Sequence, residues 1–355
     1  CSATATAVIN VIPKPDIEIT GSTSICIGAQ SFLFPISGGT WVAGSPGVAS
    51  VTNDGVILGL AGGASKFIYI DSITGCKSDS SAAVIIGNNP VILRTEPASI
   101  CVGSTTSFSP SSGGVWTSSN PDVATINNNG IVTGVSQGTA TFTFSVGGTN
   151  CISLPSDPIT VHPLPEIQLL GDDVLCMGEN SLLSPNSGGT WTSSNATVAS
   201  ISPTGVVSTI GPGKASFVFT LAATSCKSLP SDSITIFAKP IIAIAGDSVL
   251  CVGESSTLTT NEVGTWSSSS PAIASINSSG QITAIEQGQT TFSLTSSVSG
   301  CVSNATRPFL VNPLPVVVLS GSDQICIGST TQLYPISGGI WESSDSLIAS
   351  VNNVG

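Results

Sequence analysis

Shifted by 75 residues and laid on itself, the chain aligns without a gap. Trp41, Trp116, Trp191, Trp266 and Trp341 stand 75 residues apart and are its only five tryptophans. The ten cysteines fall into two series with the same step: Cys1, Cys76, Cys151, Cys226 and Cys301, and Cys26, Cys101, Cys176, Cys251 and Cys326. A constant period of this size means an array of equivalent small units. It also argues against catalysis, because an array multiplies length and surface whereas an enzyme needs one site.

The period sets the boundaries. Residues 1–15 read as the last strand of a preceding unit, 16–90, 91–165, 166–240 and 241–315 as four complete repeats, and 316–355 as the first part of a further one. The expectation is a window on a longer repetitive polypeptide, which accounts for the lack of a visible leader or anchor. Each unit ends in proline (Pro15, Pro90, Pro165, Pro240, Pro315) with no Gly/Ser linker behind it. Such hinges are short and restricted, so units about 35–40 Å long are expected to form a stiff rod.

Acids outnumber bases 20 to 8, for a net charge of −12. That field repels nucleic acid and anionic membrane, and no apolar run is long enough to span a bilayer, so neither partner is expected. Evenly placed cysteines in a Ser/Thr-rich chain point to cystines and an oxidising, secreted or cell-surface setting. There is no CxxC, and the single His162 has no counterpart in other repeats, so neither metal nor cofactor is expected.

The second repeat serves as the type. Val91–Leu93 and Ser99–Val102 read as a first strand in two parts, and Thr105–Ser109 as the second. Gly113-Gly114 turn the chain into Val115–Thr117, which carries Trp116 inward. Val123–Ile126 and Ile131–Thr133 flank Asn129-Gly130, a hairpin signal because both residues tolerate positive φ. Thr139–Ser145 alternates Phe142 and Phe144 with polar residues, and Pro158–Val161 closes the unit. About seven short strands in so few residues predict an all-β fold: a tandem array of small immunoglobulin-like β-sandwiches arranged end to end. Trp41, Trp116, Trp191, Trp266 and Trp341, with Phe67, Phe142, Phe217 and Phe292, are the expected core, joined by the Ala49, Ala124, Ala199, Ala274 and Ala349 series.

The stretch WTSSNPDVATINNNGIVTGVSQGTATFTF, residues 116–144, resembles bacterial immunoglobulin-like group 2 repeats, which build the stalks of many surface adhesins. Cys101-Val102-Gly103 early, Cys151 late and Leu164-Pro165 at the boundary resemble tandem repeats of large secreted Bacteroidota proteins. The fourth repeat departs mildly, with Glu262-Val263-Gly264 where others have Ser-Gly-Gly. For activity the resemblance implies nothing; such repeats space, stiffen or adhere.

Two cystine schemes fit the spacing. Within-repeat bridges would join Cys26–Cys76, Cys101–Cys151, Cys176–Cys226 and Cys251–Cys301. Cross-domain bridges would join Cys26–Cys151, Cys101–Cys226 and Cys176–Cys301, leaving Cys1, Cys76, Cys251 and Cys326 to partners outside this window. Strand order favours the second, since Cys101 and Cys151 read as opposite poles of one sandwich, about 20 Å apart, against the ~7 Å a cystine allows. Both schemes remain open at this level.

Candidate chemistry is sparse. His162 reads as a solvated edge residue, and Asp172-Asp173 as a turn lacking a calcium-loop pattern. Sequons mark Asn195, Asn277 and Asn304 for glycan. The Bacteroidota resemblance adds an O-glycosylation pattern at Ser72, Ser233, Ser248 and Ser346. The chain is expected not to be an enzyme but a structural segment of an extracellular bacterial filament or surface stalk. Its expected partners are adjacent repeats, identical chains in a filament and covalent glycans. The alternatives are an adhesin whose repeats grip glycan or host surface, and a spacer array of a larger secreted enzyme.

Overall fold

The structure is a computed structural model that describes residues 7–95, 97–147 and 151–353. Its residues group into two compact units. One holds 1–167 with 187–190 and 218–230; the other holds 168–186, 191–217 and 231–355. Among the described residues no helix is long and apolar enough to cross a membrane.

The first repeat, in the first unit, shows how the sequence builds each sandwich. Its strands are β1 (Glu18–Ile19), β2 (Ser24–Cys26), β3 (Gln30–Phe34), β4 (Gly39–Ala43), β5 (Ala49–Val51), β6 (Val56–Gly59), β7 (Gly63–Ser65), β8 (Phe67–Asp71) and β9 (Val84–Gly87). One sheet has the order β1-β3-β6-β5. The other is assembled from β2-β9-β7 and β4-β8, because β7 and β8 are one strand interrupted at Lys66. The opening strand is thus divided between sheets: β1 runs antiparallel to β3, whereas β2 runs parallel to β9. This is the arrangement of an immunoglobulin-like sandwich. The same strands recur in the second repeat and, in the second unit, from Ile242 to Asn312 in the fourth.

Alternation of apolar and polar residues decides which face enters the core. In β3, Ser31 and Leu33 point inward while Gln30, Phe32 and Phe34 face solvent. Ile25, Leu33, Trp41, Ala49, Ile57, Phe67, Tyr69, Val84 and Ile86 make one buried cluster. The β5–β6 hairpin turns at Gly55 with φ of 80°, a conformation that costs glycine nothing. Gly39 is required for another reason: the Tyr69 ring lies on it, and a Cβ there would collide with the Ile70 carbonyl. Gly264 makes the same close approach to Thr295 and Leu294, so the altered Glu262-Val263-Gly264 turn keeps the one glycine that packing demands.

Three of the five tryptophans are less enclosed than the sequence suggests. Trp41 and Trp116 are both 5 % exposed, but Trp191, Trp266 and Trp341 are only half-buried. The indole sits at the sandwich edge, where its N–H donates to the Pro35, Pro110, Pro185 or Pro335 carbonyl at 3.0–3.2 Å. Thr260 stands where the other repeats have that proline, and Trp266 packs at the margin of its cluster. Phe67, Phe142, Phe217 and Phe292 are all fully enclosed, as are Ala49, Ala124, Ala199 and Ala274, whereas Ala349 is exposed.

The segments after Cys76, Cys151, Cys226 and Cys301 carry a feature absent from the sequence expectation. Ser78 and Ser81 follow Cys76 and lie beside β8 without joining its ladder. The Tyr69 N–H donates to Ser78 Oγ at 2.9 Å, and the Phe67 N–H to Ser81 Oγ at 2.9 Å. Main-chain bonds return from the Ser78 and Ser81 N–H groups to the Tyr69 and Phe67 carbonyls. Three residues of this segment oppose two of β8, so its carbonyls fall out of register and hydroxyls accept instead. Ser153 and Ser156, Ser228 and Ser231, and Ser303 and Thr306 repeat the clamp. Ser78→Ala is therefore expected to leave the buried Tyr69 N–H without its acceptor, at a cost of about 1–3 kcal/mol. A lowered denaturant midpoint, with faster exchange of the Tyr69 amide, measures it.

Tyr69 distinguishes the first repeat, since Phe144, Phe219 and Leu294 stand at its position elsewhere. Its ring packs on Trp41 and its hydroxyl donates to the Ser37 carbonyl at 2.6 Å. Burial, and secondarily the Asp71 carboxylate, push its phenol above the ordinary value. The unfolded chain therefore loses this proton before the folded one does. The contribution of neutral Tyr69 is whole below about pH 10 and is lost as pH rises through the folded value. Repeat 1 is expected to weaken under that titration, and Tyr69→Phe to remove the dependence, measured as unfolding midpoint against pH.

Candidate functional site: the cystine bridges

Cys26, Cys101, Cys176 and Cys251 each end a strand at one pole of their sandwich. Cys26 lies opposite Gly87 in the parallel β2–β9 pair, and Gly63, at the start of β7, is paired with Ile86 beside it. A tight turn follows, with the Ala29 N–H donating to the Cys26 carbonyl and Gly28 at φ of 80°. In the third and fourth repeats a carboxylate joins this turn: Glu179 and Glu254 each accept the N–H of Cys176 or Cys251 at 2.7 Å.

Cys76, Cys151, Cys226 and Cys301 each lie at the other pole. The Asp71 N–H donates to the Cys76 carbonyl, and the Val146 N–H to that of Cys151. The eight residue steps from Gly63 to Asp71 extend on the order of 26 Å at about 3.3 Å each. Cys26 and Cys76 are thus separated by the length of the sandwich.

That separation decides the pairing in the structure. Cys26 is bonded to Cys151, Cys101 to Cys226 and Cys176 to Cys301, with Cα atoms 5.4, 5.6 and 5.6 Å apart and each pair 125 residues apart in sequence. The within-repeat scheme of Cys26–Cys76, Cys101–Cys151, Cys176–Cys226 and Cys251–Cys301 is not the one present, because its partners sit at opposite poles and a cystine holds Cα atoms within about 7 Å. Cys151, Cys226 and Cys301 are fully buried at their bridges. Cys76, Cys251 and Cys326 are free thiols. The corresponding 125-residue step, back from the late Cys76 and forward from the early Cys251 and Cys326, leads before residue 1 or past residue 355. Cys1 lies outside the described residues.

Within the first unit, the Cys26–Cys151 bond brings the exit pole of the first repeat to the entry pole of the second. Both series of cysteines stood out in the sequence, whereas the serines that fasten the chain behind Cys76, Cys151, Cys226 and Cys301 were missed. Their signal was present: Ser78, Ser153, Ser228 and Ser303 stand two residues after the late cysteines with the same period.

The other candidates are scattered. His162 ends its strand half-buried, and its carbonyl accepts the Val102 N–H. Asp172 and Asp173 are exposed and work through their carbonyls, which accept from the Ser181 hydroxyl and the Thr235 N–H. Among the described residues no three His, Cys, Asp or Glu side chains are grouped to hold a metal ion. Ser72, Ser233, Ser346, Asn195, Asn277 and Asn304 are exposed, and Ser248 is half-buried. Beside Ser72, the Thr74 N–H and then its hydroxyl hold the Asp71 carboxylate below its ordinary range, with the Ile73 N–H assisting. Two shallow depressions, of about 280 and 380 Å³, lie beside Phe108 and Trp266.

Residues 98–150 match the family of bacterial Ig-like domains, group 2. The match covers most of the second repeat. The first, third and fourth repeats share its strand order and its 75-residue period. Three solved structures are similar to the chain. The first is the C-terminal 282-residue fragment of intimin, solved with the intimin-binding domain of the translocated intimin receptor, at 20 % identity over 44 % of this chain and 66 % of that one, with a TM-score of 0.31. Invasin, a bacterial integrin-binding protein, gives 14 % identity over 86 % and 81 %, with a TM-score of 0.28. The S-layer protein rSbsC(31-844) gives 15 % over 90 % and 57 %, with a TM-score of 0.20. The chain thus spans just under two thirds of the intimin fragment. No curated protein matches it.

Proposed function

We propose that this group 2 Ig-like array is a structural segment of an extracellular bacterial filament or surface stalk, and that its work is mechanical rather than catalytic. One observation carries the reading: among the described residues each cystine joins two successive repeats, so the sulfur chemistry connects domains and does not staple each one. Cystines form in an oxidising compartment, in keeping with the surface role of bacterial Ig-like domains. A net charge of −12 with exposed hydroxyl-rich faces suits a solvated array that neither enters lipid nor binds nucleic acid.

Treating intact producing cells with a protease that does not enter them tests the location. Release of these repeats without lysis, together with threads in negative stain that carry them, is the expected result. Recovery only after lysis, with all cysteines reduced, would overturn the proposal. Specific retention of the isolated repeats on a glycan or host surface would favour adhesion instead.

A further inference from the structure

We infer that the cystines form an overlapping ladder that keeps the chain covalently whole after any single backbone cut and caps its extension under tension. The inference goes beyond the proposed filament role and stands on connectivity alone. The loops 26–151, 101–226 and 176–301 overlap. Every peptide bond between Cys26 and Cys301 therefore lies inside at least one closed loop, and those of 101–151 and 176–226 lie inside two.

The same connectivity defines the shortest covalent route through the chain. From Cys26 it crosses to Cys151, follows the backbone to Cys176, and crosses to Cys301. Only the segment 151–176 is in series, out of the 275 residue steps from Cys26 to Cys301. Fully drawn out, this route measures on the order of 95 Å, against about 900 Å for the same stretch without bridges. Its counterpart 76–101 lies wholly in the first unit and shows how little slack such a segment holds. It starts at the entry pole of the first repeat and ends at the exit pole of the second. Its 25 residues reach at most about 83 Å, and they already traverse two sandwiches whose long strands alone extend about 26 Å each. Tension is thus carried by the last strand of one repeat and the first of the next. The strands between them, and the cores they enclose, are bypassed. The serine clamp on β8 fastens the start of each such segment to its own sandwich.

Two measurements on the oxidised 355-residue chain test this. First, single protease sites are placed at the exposed Asn88-Asn89 turn, inside one loop, or at Ser111-Ser112, inside two. After cutting, both proteins are expected to run undivided on a non-reducing gel and to separate on reduction. In a Cys26→Ser/Cys151→Ser variant, the Asn88 cut is expected to separate without reductant, while the Ser111 cut stays held by Cys101–Cys226. Separation of the parent protein at either cut, or of the variant at Ser111, would overturn the ladder. Second, the chain is pulled between tags at its two ends. Reduction is expected to add about 800 Å of contour length. Contour steps of one whole repeat arising between Cys26 and Cys301 under oxidising conditions would overturn the tension route. Both readouts report chain connectivity, so they can fail while the filament reading survives, and the reverse.

Discussion

The double substitution Cys101→Ser/Cys226→Ser is expected to destabilise the second and third repeats by about 4–5 kcal/mol while leaving their strands in place. The bridge closes a loop of 125 residues, and the entropy it removes from the unfolded chain grows with the logarithm of that length; a loop of about 100 residues is worth about 4.7 kcal/mol. The neighbouring bridges share part of the same chain, which shortens the effective loop and holds the figure at the lower end. No cavity accompanies the change, since serine nearly matches the volume of cysteine, although a fully buried Cys226 becomes a buried hydroxyl. Denaturant titration followed by hydrogen exchange measures it. Peptides from 91–240 should lose protection first and those from the first repeat last. A uniform loss over all repeats would mean that the bridge does not act locally.

Phe67→Ala is expected to cost about 3–5 kcal/mol and to unfold the first repeat selectively. Phe67 is fully buried at the centre of a cluster with Trp41, Ala49, Ile57, Tyr69 and Val84. A sandwich of this size commands only about 4–11 kcal/mol in total, so truncating its central ring removes most of what holds it. The equivalent Phe142→Ala should do the same in the second repeat. Arrays of this kind behave as a sum of units with nearest-neighbour terms. Proteolysis should therefore open 16–90 before 91–165 in the first variant and reverse that order in the second. The tension route predicts that an opened repeat still adds little length when pulled, because its strands lie outside the series segment.

Much of the sandwich was legible in the sequence because its signals are local. Thr105–Ser109 is a strand with those same bounds, and Gly130 turns the hairpin where Asn129-Gly130 placed it. Phe142 and Phe144 face inward from one strand by simple alternation. The expected strand Thr139–Ser145 is in fact broken at Thr141, where the bond from Phe142 goes to the Ser156 hydroxyl and not to a neighbouring strand. Nothing within a few residues of Thr141 announces that partner. The half-burial of Trp191 and Trp266 was equally hidden, because the period equates positions without saying how far each indole reaches past the edge.

Period, strand alternation and turn glycines determined the fold class, since each acts through neighbours in the chain. Strand order already favoured the cross-domain cystines over the within-repeat ones, and the tertiary structure decided between them. Spacing permits a partner 50 residues away as readily as one 125 away. The run of the β7–β8 strand, from the pole of the early cysteine to that of the late one, sets a whole sandwich length between the nearer pair and so sends each bond to the next repeat.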